Sequence, residues 1–265
     1  MAGSYIDRAF GREAFGLDPA GYDAARPAYP EWVFEVLRDR CGAGPGAGFE
    51  IGPGTGTATR RLLELGVEKL VAVEADPRLA AFLRESIPDT RLTVLSSAFE
   101  EAVLEEGRFD LGVSATAFHW LEEDAALKKV AKLLRPGGWW AMVWNVFGDA
   151  SLPDPFHEAT KRLLGEPRNP SAGAGDVPFA LDAEARIVAL ERAGTFDGIE
   201  QRTSKWTLML DPEQTAALYA TYSNVVIRPD RDEVLNELRR IARDEFEGRV
   251  TRNMITSLYV ARRLV

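Results

Sequence analysis

The chain has 265 residues, 46% of them hydrophobic and 28% charged, and its 32 Lys+Arg and 41 Asp+Glu give a formal net charge of −9. This length and apolar content are enough for a sizeable core, so a disordered chain is excluded and one large domain, with or without a small appendage, is predicted. The excess of acidic residues argues against nucleic acid as a partner, because sequence-independent binding of nucleic acid needs a basic surface. The single Cys41 and the two histidines exclude an internal disulfide, a cysteine cluster and a multi-histidine metal site.

No apolar run approaches the ~20 residues that span a bilayer. The N-terminus carries Asp7, Arg8, Arg12 and Glu13 and lacks the apolar stretch of a signal peptide. We therefore expect a cytoplasmic protein that does not bind membranes, as a monomer or a homodimer.

Helix-like and strand-like stretches alternate from Pro30 onward. Helices are predicted to begin at Pro30, Ala58, Pro77 and Ala125, and strands are predicted at residues 49–51, 69–74, 91–95, 109–114 and 139–146. This alternation predicts parallel strands with right-handed crossovers, which is an open α/β sheet.

The pattern changes after Phe147. Residues 148–180 are rich in Pro, Gly and Ala, which favours an insertion or a mobile cap. Later elements are predicted as a helix at 182–192, a strand at 199–210, helices opened by Asp211-Pro212 and carrying Val234 to Phe246, and a strand at 251–260. The predicted organisation is an N-terminal segment (1–29), a ligand-binding core (30–147), a cap (148–197), and the rest of the sheet with further helices (198–265).

The most informative stretch is the glycine-rich loop 49–56, Phe-Glu-Ile-Gly-Pro-Gly-Thr-Gly, between a strand and a helix. Glycines allow close approach of a ligand to the backbone, and the following helix N-terminus offers free N–H groups. A dinucleotide fingerprint requires glycine at position 57, where this chain has Thr57. A plain turn without a ligand is the alternative.

Glu74 stands 22 residues after Gly52, at the end of the second predicted strand. A carboxylate at this position can accept both hydroxyls of a ribose, because strand ends converge on the ligand crevice of an open α/β sheet. The alternative role, capping the helix that Pro77 opens, suits the neighbouring Asp76 better.

These motifs, followed by Leu-Arg-Pro-Gly-Gly at 134–138, resemble those of class I S-adenosylmethionine-dependent methyltransferases over residues 30–147. Residues 22–30, Tyr-Asp-Ala-Ala-Arg-Pro-Ala-Tyr-Pro, and residues 117–120, Ala-Phe-His-Trp, are similar to the small-molecule branch that includes trans-aconitate-methyltransferase-like (methyltransferase type 11) proteins.

The resemblance implies a Rossmann-like α/β fold: a seven-stranded, mostly parallel sheet with helices on both faces, an antiparallel last strand and a small helical cap. It implies S-adenosylmethionine as cofactor, with Glu74 on the ribose diol, Ala75 beside the adenine and Tyr22 over the cofactor. Ser97 stands where family members often carry Asp. The other implied cofactor-binding residues are Arg26, Glu50, Gly52, Pro53, Gly54, Gly56, Ala98, Phe99, Ser114 and Ala115.

On the substrate side, His119 is the candidate catalytic residue, since an ordinary histidine pKa of ~6.5 suits a base or a hydrogen-bonding group. The alternative is that it only lines the site. Arg26 is expected to pair with the cofactor's carboxylate, an acidic substrate, or Asp23 or Glu31. Further candidate substrate-binding residues are Tyr29, Trp120, Asn145, Tyr219 and Tyr222.

Methyl transfer to a small-molecule acceptor by direct in-line displacement is the predicted function. Two alternatives stay open: a non-methylating S-adenosylmethionine-binding protein on the same fold, and an NAD(P)-dependent oxidoreductase, which Thr57 disfavours.

Overall fold

A computed structural model describes residues 15–42, 44–165, 171 and 177–264. Its seven-stranded sheet has the order β3-β2-β1-β4-β5-β7-β6, and only β7 runs antiparallel to its neighbours. The strands are β1 (Ala47–Ile51), β2 (Lys69–Glu74), β3 (Leu92–Ser96), β4 (Phe109–Ala115), β5 (Leu134–Phe147), β6 (Phe196–Leu210) and β7 (Val250–Arg263). The predicted fold class, including the antiparallel last strand, is confirmed.

Ten α-helices occur in the described residues. They are α1 (Pro19–Ala25), α2 (Glu31–Cys41), α3 (Thr57–Glu64), α4 (Pro77–Ser86), α5 (Glu123–Leu133), α6 (Pro155–Leu164), α7 (Ala183–Arg192), α8 (Pro212–Tyr219), α9 (Ser223–Val226) and α10 (Arg231–Asp244), with short 3₁₀ turns at Phe15–Leu17 and Phe118–Trp120. No described helix is long and apolar enough to cross a membrane.

Each face of the sheet has its own core, because successive strand side chains point to opposite faces. On β5, Trp140, Met142 and Trp144 pack on one face against α5 and α7, whereas Ala141 and Val143 pack on the other against α2 and α3. The two fully buried tryptophans therefore belong to the core on the α5 side.

Phe49 lies at the centre of that core. Its ring stacks on Trp140 at 6.1 Å and on Phe99 at 6.4 Å. Gly112 on the neighbouring strand makes room for it, since a Cβ there would lie 2.3 Å from the Phe49 ring. This packing fixes the end of β1, from which the glycine loop leaves the sheet.

A third apolar cluster holds together the helices that cover the sheet end. Phe156 of α6 and Tyr219 of α8 pack with Leu238 and Ile241 of α10. These helices come from two chain connections, β5 to β6 and β6 to β7, while α7 packs on the sheet itself. Of the predicted N-terminal segment and cap, residues 1–14, 166–170 and 172–176 lie outside the described residues.

Helix α1 is absent from the predicted elements, and two other regions differ from them. Residues 135–138, predicted to separate a helix from a strand, form an irregularity inside β5, where the register with β4 shifts between Phe109 and Leu111. The predicted insertion contains the helix α6, which begins at Asp154 and Pro155 with the aspartate side chain accepting from the backbone N–H of His157.

Candidate active site

A cavity of about 430 Å³ lies at the carboxyl ends of β1, β2, β4 and β5, beneath α1, α6 and α8. The sequence-predicted residues that line it are Tyr22, Arg26, Tyr29, Gly52, Pro53, Gly54, Glu74, Ala75, Phe99, Ala115, His119, Trp120, Asn145, Tyr219 and Tyr222. Glu50, Gly56, Ala98 and Ser114 were also predicted as site residues and lie outside this lining.

The three glycines of the loop serve different purposes, although Gly52, Gly54 and Gly56 all have positive φ angles of 63°, 59° and 95°. A Cβ on Gly52 would lie 2.5 Å from the Cβ of Ala117, so this glycine permits close approach of the β1 and β4 ends. Gly54 lines the cavity and has no atom of a described residue within 4 Å of the Cβ position, so it leaves room for a ligand. Gly56 caps α3 in the left-handed conformation.

Glu74 ends β2 and is 5% exposed. One carboxylate oxygen accepts from the N–H of Gly54 and the other from the N–H of Asp76, both at 2.9 Å. Burial raises the pKa of this carboxyl, while those N–H bonds lower it. The backbone thus fixes the direction of the carboxylate and leaves each oxygen a further lone pair. Asp76 itself caps α4, as the sequence predicts.

Glu50 lies on β1, next to β2, and is fully buried. Its Oε2 accepts from the Thr59 hydroxyl at 2.6 Å, but its Oε1 has no hydrogen-bond partner among the described residues. Burial raises the pKa of Glu50 to about 7, the Thr59 hydrogen bond lowers it, and the charge of Glu74 raises it further. The site therefore has two buried acidic groups on adjacent strands.

Arg26 joins the N-terminal segment to the helices above the sheet. It donates to the carbonyl of Thr221 at 3.0 Å. Its guanidinium lies 4.9 Å from the ring centre of Tyr22 and 5.3 Å from that of Tyr222. The predicted alternative partners have other cations: Arg60 pairs with Asp23 and Arg61 with Glu31.

Tyr29 and Asn145 tie the same segment to the strand ends. The Tyr29 hydroxyl is hydrogen-bonded to the Thr116 hydroxyl at 2.7 Å. Asn145 donates to the carbonyl of Ala28 at 3.1 Å and accepts from Thr256 at 2.7 Å. These contacts hold residues 27–29 across the cavity mouth.

His119 is 4% exposed, in the 3₁₀ turn after β4. Its Nδ1 accepts a hydrogen bond from the Trp144 indole N–H at 3.0 Å. Its ring also contacts Trp120, at a centroid distance of 5.1 Å, and Phe179, at 6.2 Å. His157 is exposed on α6 and also lines the cavity.

Several lining residues were missed by the sequence analysis. Arg252 on β7 is 4% exposed and is held by Asp154 at 2.9 Å and by the Tyr219 hydroxyl. Thr116 directly follows β4 and has a φ of 56°, and Phe147 is the last residue of β5. Their strand-end positions are a usable signal, but the Arg252 contacts join distant segments and have no local signature.

Of the predicted residues outside the lining, Ser114 is buried in β4 and donates to the carbonyl of Ile51 at 3.1 Å. This bond joins the ends of β1 and β4. Ala98 follows β3, and its neighbour Phe99 supplies the lining side chain.

These features fit a nucleoside-bearing cofactor. Gly54 leaves open space at the loop, Glu74 presents a directed carboxylate, and Val73, Leu79 and Phe99 add an apolar wall. An open α/β sheet with a glycine loop and a carboxylate at the next strand end defines the class: an enzyme that binds a nucleoside-type cofactor at its strand ends.

Comparison with known proteins gives the family. A family model described as a methyltransferase domain matches residues 49–142. An uncharacterized methyltransferase of Geobacillus kaustophilus is 30% identical over 168 residues, which cover 62% of this chain and 68% of the relative. The chain belongs to the class I S-adenosylmethionine-dependent methyltransferases, as its motifs predict.

Two further relatives extend the likeness over most of the chain. An uncharacterized methyltransferase of Mycobacterium tuberculosis is 27% identical over 234 residues, which cover 86% of this chain and 85% of the relative. Phosphoethanolamine N-methyltransferase 2 of Haemonchus contortus, solved in complex with S-adenosyl-L-methionine, has a TM-score of 0.56 at 16% identity, covering 99% of this chain and 61% of that chain. This last likeness concerns the fold.

Proposed function

We propose that this methyltransferase acts on a small-molecule acceptor by direct in-line displacement. The observation that carries the proposal is one continuous cavity of about 430 Å³, which runs from Glu74 at the sheet to Tyr219 and Arg252 beneath α6 and α8. Residues 27–29 and α6 border this cavity. The end of the cavity near Tyr219 and Arg252, where the acceptor would bind, therefore suits a small ligand better than a macromolecule. The net charge of −9 supports the same choice over nucleic acid.

The cofactor would lie at the end that holds Glu74 and the glycine loop. We assign Glu74 to the ribose hydroxyls, since its oxygens are directed by backbone N–H groups. Ala75 and Phe99 would border the adenine. Gly52 and Gly54, with Pro53 between them, would lie beneath the ribose and methionine portions.

The methionine end would face Ala115 and the N-terminal segment. Ala115 lines the cavity at the end of β4, where its backbone would hold the amino group. Tyr22 and Arg26 would cover this end, with Arg26 serving either the cofactor carboxylate or an acidic acceptor. Ser114, Gly56 and Ala98 would act through the backbone geometry that they set.

S-adenosylmethionine supplies a methyl group on a positively charged sulfur, which is already strongly electrophilic. What the chain must provide is alignment of the acceptor atom with the S–CH₃ bond and exclusion of water. The aromatic side chains of Trp120, Phe147 and Tyr222 give the acceptor end apolar walls, and His119, Asn145 and Tyr29 add polar groups. Burial raises the pKa values of Tyr29, Tyr219 and Tyr222, so these phenols donate hydrogen bonds and do not act as bases.

The test is transfer of label from methyl-tritiated S-adenosylmethionine to a panel of small carboxylates, phenols, amines and thiols. We expect label in at least one small-molecule class, and less transfer with the Glu74→Ala variant at limiting cofactor. Binding of S-adenosylmethionine without transfer to any class would favour the non-methylating alternative. Calorimetry is the second control: tight binding of NADH without binding of S-adenosylmethionine would favour the oxidoreductase.

We further propose a cytoplasmic location and a monomer or homodimer. We also propose that the N-terminal segment (1–29) is a lid over the cofactor end of the core (30–147), and that residues 148–197 and the helices of 198–265 form the acceptor side. The Arg26–Thr221 hydrogen bond supports such a lid, because it links residue 26 directly to the acceptor side.

A further inference from the structure

The protonation state of His119 follows from its partner. The indole nitrogen of Trp144 donates hydrogen bonds and cannot accept them. Because it lies 3.0 Å from Nδ1 of His119, that nitrogen must present a lone pair. In a neutral imidazole the proton is then on Nε2. Trp144 therefore selects one of the two tautomers.

The surroundings also oppose a proton on Nδ1. Protonation there would set two N–H groups against each other and place a charge on a ring that is 4% exposed. The rings that pack around the pair are Trp120, Phe179 and Tyr259. Behind Phe179 lies the cation of Arg186, at 3.5 Å from that ring's centre and paired with Glu123.

We infer that His119 is held as the neutral Nε2–H tautomer, with its Nδ1 lone pair engaged by Trp144, and does not act as a general base. This inference rests on the proposed function, and it narrows the acceptor to groups that arrive already nucleophilic, such as an ionised oxygen or sulfur or an unprotonated amine. The acceptor's lone pair forms the bond to the methyl carbon, and the electrons of the broken C–S bond stay on sulfur. No proton passes to His119.

The other described groups that line the cavity are poorly suited to act as a base in place of His119. The tyrosines keep their protons, and both Glu74 oxygens accept from backbone N–H groups. His157 is the other histidine of the chain and lines the cavity from the exposed side of α6. Among the described lining groups, an acceptor that must lose a proton during transfer is left with His157, or it must use water.

The test is nitrogen NMR of the protein labelled with ¹⁵N-histidine, with and without saturating S-adenosylhomocysteine. The two histidines are assigned with the His157→Asn variant. We expect His119 to show a protonated Nε2 and an unprotonated Nδ1 from pH 8 to pH 6. A protonated Nδ1 or a doubly protonated ring at pH 7 would overturn the inference, whether or not an acceptor has been found.

Two phenylalanine variants test whether Trp144 sets the tautomer. Trp144→Phe removes the donor, and we expect a mixture of both tautomers. Trp140→Phe is the matched control, because this buried indole on the same strand has no hydrogen-bond partner within the ranges that the structure describes. The control should leave His119 unchanged. An unchanged His119 in folded Trp144→Phe would contradict the argument.

Two amide variants test whether turnover needs a hydrogen-bond donor at the Nε2 position, with the best acceptor from the panel. Glutamine places its amide nitrogen near the Nε2 position, whereas asparagine reaches only to the Nδ1 position. We expect His119→Gln to turn over at least tenfold faster than His119→Asn at saturating substrate. Equal losses in both, together with a wild-type rate that falls as a histidine is protonated, would indicate a base instead. Absence of any acceptor in the panel would count against the proposed function, while the NMR result still decides the tautomer.

Discussion

The variant Glu50→Gln tests most directly how burial and the neighbouring Glu74 affect the ionisation of Glu50. This carboxyl is fully buried, one of its oxygens has no partner in the described part of the chain, and the charge of Glu74 opposes its ionisation. Glutamine has nearly the same shape and can still accept from the Thr59 hydroxyl. It removes the ionisable group without opening a cavity.

The magnitude follows from the pKa of Glu50, which burial raises from 4.5 to about 7 in the folded protein. A raised folded-state pKa means that the folded state binds the proton more tightly, so wild-type stability falls as pH rises from about 4.5 to 7. At about 1.4 kcal/mol per pKa unit, this loss is about 3 kcal/mol and is complete above pH 8. The variant lacks this loss.

The assay is urea unfolding of both proteins at pH 5 and pH 8.5 without cofactor. The buried amide of glutamine costs about 1–3 kcal/mol if unpaired, but that cost is the same at both pH values. Part of the loss, about 1 kcal/mol, has already occurred at pH 5, so the difference between variant and wild type should shift by about 2.5 kcal/mol in favour of the variant between the two pH values. Glu35→Gln, an exposed change on α2, is the charge control. A pH-independent difference for Glu50→Gln would refute the reasoning.

Three further changes test other parts of the site. Glu74→Ala should raise the dissociation constant of S-adenosylmethionine at least tenfold in calorimetry, and unchanged affinity in a folded variant would remove its ribose role. Gly52→Ala should lower the free energy of unfolding by about 2 kcal/mol or more, because of its positive φ and the 2.5 Å approach to Ala117; adding Ala117→Gly should recover only the steric part, and full recovery would show that φ is unimportant. Arg252→Met should lower the free energy of unfolding by about 3 kcal/mol in denaturant titration, since it breaks a buried ion pair. Arg240→Met, which breaks an exposed ion pair, should lower it by at most about 1 kcal/mol, and equal losses would contradict this reasoning.

Much of the fold was predictable because local signals agree with the sheet. Strand β2 spans Lys69–Glu74 as the hydrophobic run predicts, and α4 begins at Pro77 with Asp76 as its cap. The same Asp-Pro pair opens α8, where Asp211 completes a capping box. Proline fixes φ for the first turn, and aspartate accepts from the N–H groups that the first turn leaves without partners.

Two helices were missed although they carry that same signature. Asp18-Pro19 opens α1 and Asp154-Pro155 opens α6, and each aspartate side chain caps its helix. Their surroundings are rich in glycine, proline and alanine, which obscured the short apolar pattern. Phe156 is buried only because α8 and α10 come from a later part of the chain to cover it. Such packing is tertiary and leaves no local periodicity.

The candidate site likewise contains residues that the sequence predicts and residues that it does not. Glu74 and the glycine loop follow from chain order, because parallel strands bring their carboxyl ends to one edge of the sheet. Arg252 was unpredictable, since its partners Asp154 and Tyr219 come from two separate connections. The hydrogen bond of Trp144 to His119 likewise depends on the registry of β4 with β5, and the sequence marks neither residue as the other's partner.

The buried acids also explain why a cationic cofactor suits this cavity. Glu50 and Glu74 lie on neighbouring strands, and both are buried. Two such carboxyls oppose each other's ionisation, so the cofactor-free site favours a proton on one of them. A ligand with a positive sulfur reduces that opposition, whereas a pyrophosphate-bearing dinucleotide would increase it. Thr57 in place of glycine and the buried Glu50 therefore disfavour a dinucleotide for separate reasons, one steric and one electrostatic.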